Sequence, residues 1–169
     1  MAEPDSEEAP ASETCDCPRL DPDDWHEVES DWADITFLRA SVPSVLGVPT
    51  AFASVKLELV KKALAEGFAV PDDPMVLLGA GQFRRPILLE VEDPPEEARD
   101  MVRPGGVAFS HLAPAPLGAM KARMKDLKQA GRGRYGRDPD DIWAWYLTCR
   151  TCSRERNFET LLVGHYKHP

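Results

Sequence analysis

At 169 residues the chain has room for one domain with a full hydrophobic core and at most a very small second one. Its composition, 43% hydrophobic and 29% charged with 16 prolines, fits a loop-rich soluble domain and excludes a fibre or a wholly disordered chain. The net charge of -9 makes nucleic acid a poor partner, and the start is acidic, with no apolar run near the roughly 20 residues of a bilayer span, so a cytoplasmic protein without membrane attachment is expected.

Residues 1–14 carry Glu3, Asp5, Glu7, Glu8 and Glu13 with no base and no apolar face, and are expected to be a disordered acidic leader. A single domain follows over 15–169, opening with an N-terminal metal-binding segment and short helix over 15–33. There Asp21-Pro22-Asp23-Asp24 supplies an N-cap, a proline at the first helical position and first-turn acids, which predicts a helix through about Trp32 with Trp25 and Val28 facing inward.

Residues 35–40 read as a strand and 50–66 as a helix closed by Gly67, with Phe52, Val55, Leu59 and Ala63 on its apolar face. The runs 75–80 and 86–91, separated by Gly81-Gln82-Phe83-Arg84-Arg85, read as a hairpin. The second half repeats the order. Residues 106–112 form a strand, and 116–130 a helix with Leu117, Met120, Met124 and Leu127 on one face. Strands over 142–148 and 158–166 then flank a longer loop that contains the two later cysteines. Lys121, Arg123, Lys125, Lys128, Arg132, Arg134 and Arg137 read as the solvated face and end of that helix.

Strand-helix-strand-strand thus occurs twice, over 34–92 and 105–167. The expected fold class is α+β: duplicated units forming a mostly antiparallel sheet, with two helices on one face. The other face, or the groove between the halves, is left for a ligand.

The second unit carries a resemblance. Val107-Ala108-Phe109-Ser110-His111-Leu112 leads to Pro116-Leu117-Gly118, a helix, then Trp145-Tyr146-Leu147 and Phe158-Glu159-Thr160-Leu161-Leu162. With the duplicated order over about residues 34–167, this resembles the GyrI-like superfamily, which includes drug-binding domains of bacterial transcription regulators, gyrase-inhibitor proteins and a branch of cyclopropanoid hydrolases. No helix-turn-helix segment is present, so the regulator role is not implied. The resemblance implies a small planar hydrophobic ligand bound by a monomer or homodimer. It leaves open hydrolysis of reactive cyclopropanoid compounds, their sequestration without catalysis, and a protein-interaction module of the gyrase-inhibitor kind.

The four cysteines form two close pairs, Cys15-x-Cys17 and Cys149-x-x-Cys152. Thiolates are soft ligands, and two short chelates converging in space make the tetrahedral four-sulfur set that zinc favours, with no open position for substrate. Structural zinc is the leading reading, ahead of a four-sulfur iron site and of thiol redox chemistry or unpaired thiols. His165 and His168 point oppositely on a strand and are not expected to ligate metal. His111 reads as a hydrogen-bonded core or edge histidine.

Glu159 sits among Phe158, Leu161, Leu162 and Val163, opposite the aromatic strand Trp143-Ala144-Trp145-Tyr146. An acid on a strand ordinarily takes the wet face; the resemblance places it instead in the ligand cavity. A carboxylate there has its pKa raised by desolvation and can hold a water as general base. Trp143 or Trp145 can stack on a planar ligand, and the Tyr146 hydroxyl can hydrogen-bond the oxygen that gains charge as the ring opens. Because strand residues alternate, the two tryptophans face away from Tyr146. Glu90 is a second candidate acid.

Overall fold

The computed structural model describes residues 15–116 and 118–169; the expected acidic leader and Leu117 lie outside them. The Asp21 carboxylate accepts a hydrogen bond from the Asp23 N–H at 2.9 Å and starts a helix as the sequence predicts. This helix, α1 (Pro22–Trp25), lasts one turn instead of reaching Trp32. Glu27 adopts a φ of 57° and donates its N–H to the Ser110 carbonyl at 2.8 Å, diverting the chain into strand β1 (Val28–Asp31). Pairing with a neighbouring strand has overridden the local helical signal.

The remaining expected elements keep their order with shifted ends, and two unexpected two-residue strands join them. They are β2 (Thr36–Val45), β3 (Val48–Pro49), α2 (Phe52–Ala65), β4 (Val76–Leu78), β5 (Arg84–Val91), β6 (Met101–Val102), β7 (Val107–Pro114), α3 (Met120–Tyr135), β8 (Asp141–Tyr146) and β9 (Glu159–Tyr166). After α2, Gly67 takes a φ of 88°. Its N–H reaches the Leu64 carbonyl, and the Phe68 N–H reaches that of Ala63. This paired closure satisfies two carbonyls at the helix end and turns Phe68 into the core.

The strand order is β1-β7-β9-β8-β4-β5-β2-β3, with β6 beside β2, and the described ladders are antiparallel. The α+β class and mostly antiparallel sheet are therefore present. At the centre β4 meets β8 through Leu78 and Ala144.

Alternation along the strands sorts the two faces. In β8 and β9, Ala144, Tyr146, Thr160, Leu162 and Gly164 share one face, and α2 and α3 pack on it: Phe52 meets Tyr146 edge-on at 5.8 Å, and Leu127 lies over Gly164. On the opposite face the N-terminal segment covers the sheet. Trp25 meets Trp145 edge-on at 5.9 Å, while Trp32 stacks on His165 at 5.3 Å and lies 5.4 Å from Phe37. Among the described residues no helix is long and apolar enough to cross a membrane.

The close seat of α3 depends on Gly131, where an added Cβ would stand 2.1 Å from the Tyr166 hydroxyl. That ring is 1% exposed and packed 4.1 Å from Tyr135, so it has little room to swing aside. Gly131→Ala is expected to destabilise the fold by about 1–2 kcal/mol in chemical denaturation, despite alanine's better helix propensity. A stabilised variant would show that the α3 seat is looser than this packing requires.

The basic residues of α3 and its C-terminal end are largely spent on carboxylates, through Arg123–Asp126, Arg132–Asp138, Arg134–Glu29 and Arg137–Asp140. These are exposed or half-exposed pairs, each worth little.

Candidate functional site

The two cysteine pairs, far apart in sequence, meet in the fold. Cys15 and Cys17 precede α1, Cys149 and Cys152 lie in the loop between β8 and β9, and their four sulfurs lie within 4.8 Å of one another. None is in a disulfide. Backbone N–H groups of Cys152 and Thr151 point at the Cys149 sulfur and pull its pKa down to about 6. The Cys17 thiol moves the other way, first through burial and then through hydrogen bonds to the other three thiols. A turn that aims N–H groups at one sulfur and gathers three more around it can hold a metal ion.

Arg156, which sequence reading passed over, ties this cluster to the sheet. Its guanidinium donates to the Leu147 carbonyl at 2.9 Å and the Pro18 carbonyl at 2.7 Å, stands 4.0 Å from the Cys152 sulfur, and is ion-paired with Glu159. With its side chain 7% exposed, this one group joins the N-terminal segment, the cysteine loop and β9. The signal was its place four residues after Cys152, inside the same loop. Arg156→Ala leaves two carbonyls and a carboxylate without their donor and is expected to cost about 2 kcal/mol of stability, measured by thermal unfolding of the metal-loaded protein. An unchanged unfolding midpoint would show that the hub contributes nothing.

Glu159 is thus placed differently from the sequence expectation. Its carboxylate is engaged by Arg156, and it points to the opposite side of β9 from Thr160. It does not line the main cavity. The Arg156 guanidinium takes the carboxylate oxygen that a catalytic water would need. Here Glu159 positions Arg156.

The main cavity, about 940 Å³, lies between α2 and the ends of β8 and β9. Phe52, Val60, Val70 and Phe158 give it apolar walls, and the Tyr146 side chain enters from the sheet face beneath α2. Lys56, Asp72 and Asp73 add charge at its edge, and Cys17 and Cys149 form part of its wall, so the cysteine cluster and the cavity share a border. Phe158 holds a φ of 55°, a region that bulky residues rarely occupy, and directly follows Asn157 at 50°. Two consecutive strained residues end the cysteine loop and set an aromatic ring at the cavity wall.

Tyr146, expected to act in catalysis, lines this cavity, and of the expected ligand contacts Trp145 lines it while Trp143 and Glu90 do not. Trp143 faces away from Tyr146 as alternation requires, its ring packed where a side chain at Gly79 would otherwise go. Trp145 is 4% exposed and engaged with Trp25, leaving little of its ring for a ligand.

Glu90 accepts the Met75 N–H at 2.9 Å and borders a second cavity of about 500 Å³ with Thr36 and Arg103. Burial raises its pKa, against the Met75 hydrogen bond, so the ionised carboxylate works against folding at neutral pH. Stability from this group is lost as pH rises through its shifted range. Glu90→Gln, whose amide oxygen can still accept the Met75 N–H, is expected to raise the thermal midpoint at pH 7, with the gain shrinking in acid as Glu90 protonates. A lower midpoint at pH 7 would mean that the charge itself is used.

His111 also departs from expectation. It is 8% exposed, and its Nδ1 is buried without a hydrogen-bond partner among the described residues. Desolvation, then the neighbouring His26, lowers its pKa.

Comparison with known proteins gives one family. No curated protein matches the chain. Residues 7–163 match the family described as bacterial hydrolase, a span covering the cysteine cluster, all three helices and nearly the whole sheet, and the chain belongs to that family.

Proposed function

We propose that the protein hydrolyses reactive, planar, apolar compounds such as cyclopropane-bearing alkylating agents in the cavity between α2 and β8, with a structural zinc in the four-cysteine cluster. The observation that carries this is the cavity itself: largely apolar walls, roomy enough for a drug-sized molecule, with one phenol from the sheet. Membership of the bacterial hydrolase family supports the reaction class.

The GyrI-like reading has support in strand order. Each half places its strands as β2-β5-β4 or β7-β9-β8, inserts one helix after the first strand, and meets the other half at the β4–β8 contact. That is what two copies of one strand-helix-strand-strand unit give when related by a local two-fold axis.

In the reaction, water adds to a carbon of the strained ring. The ring C–C bond breaks with its electron pair passing into the conjugated system, and negative charge gathers on the carbonyl oxygen. The Tyr146 hydroxyl donates to that oxygen. The proton released by water goes to a carboxylate at the cavity edge, Asp72 or Asp73, the role that the resemblance implied for Glu159. Cys15, Cys17, Cys149 and Cys152 would hold a zinc ion, which would fix the part of the cavity wall that Cys17 and Cys149 form and supply no chemistry to the substrate.

A second reading, a binder that sequesters such compounds without turnover, is favoured by one observation: Glu159 is committed to Arg156 and lies away from the cavity. Product formed per chain separates the two. Asp72→Asn and Asp73→Asn are expected to show which carboxylate takes the proton, one of them lowering kcat by about 10²-fold with binding retained. If neither alters turnover, the proton leaves by another route.

A further inference from the structure

We propose that His26, Glu27 and His111 form a second metal site, distinct from the cysteine cluster, that takes one divalent transition-metal ion such as zinc through two imidazoles and a carboxylate. The three side chains offer ligand atoms that all lie within 4.8 Å of one another. Nitrogen and oxygen donors around a tetrahedral zinc ion stand about 2 Å from the metal, so a modest inward movement completes the set. Two of the three side chains are free to make that movement, because His26 and Glu27 are exposed. His111 is the fixed member, held in β7 opposite Leu162 of β9.

The buried histidine supplies a separate observation. A nitrogen removed from water ordinarily finds a partner, yet His111 Nδ1 has none among the described residues, while the His26 ring stands 4.5 Å away at a 58° tilt. Two imidazoles that approach this closely, one with a buried nitrogen left over, are placed as two arms of a chelate. The backbone contributes as well. Glu27 is held at a φ of 57° by its N–H bond to the Ser110 carbonyl, which brings residues 26 and 27 beside His111.

The charges around the site are compatible with a cation. Of the charges on α3 that act on His111, Asp126 is an acid and Arg123 a base. Arg123 is turned to other partners, donating to the Pro114 carbonyl at 3.0 Å and to Asp126 at 3.2 Å. Three protein ligands, two of them exposed, leave a position open to solvent, which is the coordination of a catalytic zinc and not that of the closed four-thiolate set. Metal binding here does not depend on what the main cavity does.

Cobalt(II) added to the reduced full-length protein distinguishes the two sites, because thiolate ligation gives an intense charge-transfer band that imidazole and carboxylate ligation lacks. Wild type is expected to take up about two equivalents per chain, one with and one without that band. His26→Ala with Glu27→Gln, both exposed positions, is expected to weaken the band-free equivalent by about 100-fold or more and leave the thiolate equivalent intact. His111→Gln should do the same, with its fold checked by circular dichroism. A wild-type protein that binds only the thiolate equivalent, or a band-free equivalent unchanged in the His26→Ala, Glu27→Gln double variant, would overturn the proposal.

Discussion

Cys149→Ser is expected to release the metal and lower the melting temperature by about 10 °C or more, the shift that about 4 kcal/mol produces in a domain of this size. The size of the effect follows from what the cluster joins. Cys15 and Cys17 belong to the segment that carries Trp25 and Trp32 across the sheet, and Cys149 and Cys152 belong to the loop at the end of β8. Without an ion, the start of that segment is held by the Arg156 bond to the Pro18 carbonyl, and its later part by the β1 ladder, the aromatic contacts and the Ser110 hydroxyl on the Trp25 carbonyl. A strong chelator should reproduce the loss in wild type, and added zinc should reverse it. Scanning calorimetry with elemental analysis provides the check. A melting temperature and metal content unchanged by the substitution would show that the four sulfurs are near one another without sharing an ion.

Tyr146→Phe is expected to lower kcat on cyclopropanoid substrates by about 10²-fold while changing ligand affinity little, because the lost hydrogen bond strengthens only as charge reaches the oxygen. The ring itself remains to pack against Phe52. Glu159→Gln should behave in the opposite manner. It weakens the grip on Arg156 and lowers the melting temperature, yet leaves turnover of the folded protein near that of wild type. Measuring rate and binding separately for both variants decides between them. A catalytic loss in Glu159→Gln and none in Tyr146→Phe would reverse the two roles.

Much of the fold was legible because its signals are periodic and local. The apolar face of α2 ends at Leu59 and Ala63 in the core, and the runs that became β4, β5, β8 and β9 are continuous enough to be read as strands. The cysteine cluster was legible for a different reason: two close pairs of soft ligands imply a common ion whatever the path between them. What failed depended on pairing partners. Residues 28–31 became a strand because β7 offered a free edge, which the helix-start signal at Asp21 cannot reveal. The short strands β3 and β6 likewise exist only through their contacts with β2.

The site was less legible than the fold because side-chain partners cross the chain. Glu159 has an apolar, aromatic neighbourhood in sequence, but its actual partner is Arg156, three residues back on a loop that folds over it. Alternation did fix one relation correctly, Tyr146 on the face opposite Trp143 and Trp145. It could not show that the tryptophans' face is covered by Trp25 and Trp32 while the cavity opens on the other. His111 likewise acquires its meaning only from His26 and Glu27.

The most direct measurement is the amount of product formed per protein chain when metal-loaded wild type is incubated with an excess of a cyclopropane-bearing alkylating compound, beside a Tyr146→Phe control. A hydrolase working in the α2–β8 cavity gives ring-opened, water-adducted product in large excess over protein, at a rate that falls with the substitution. Product that stops at one equivalent per chain or fewer, with the compound still bound, would contradict hydrolysis and leave a protein that only sequesters its ligand.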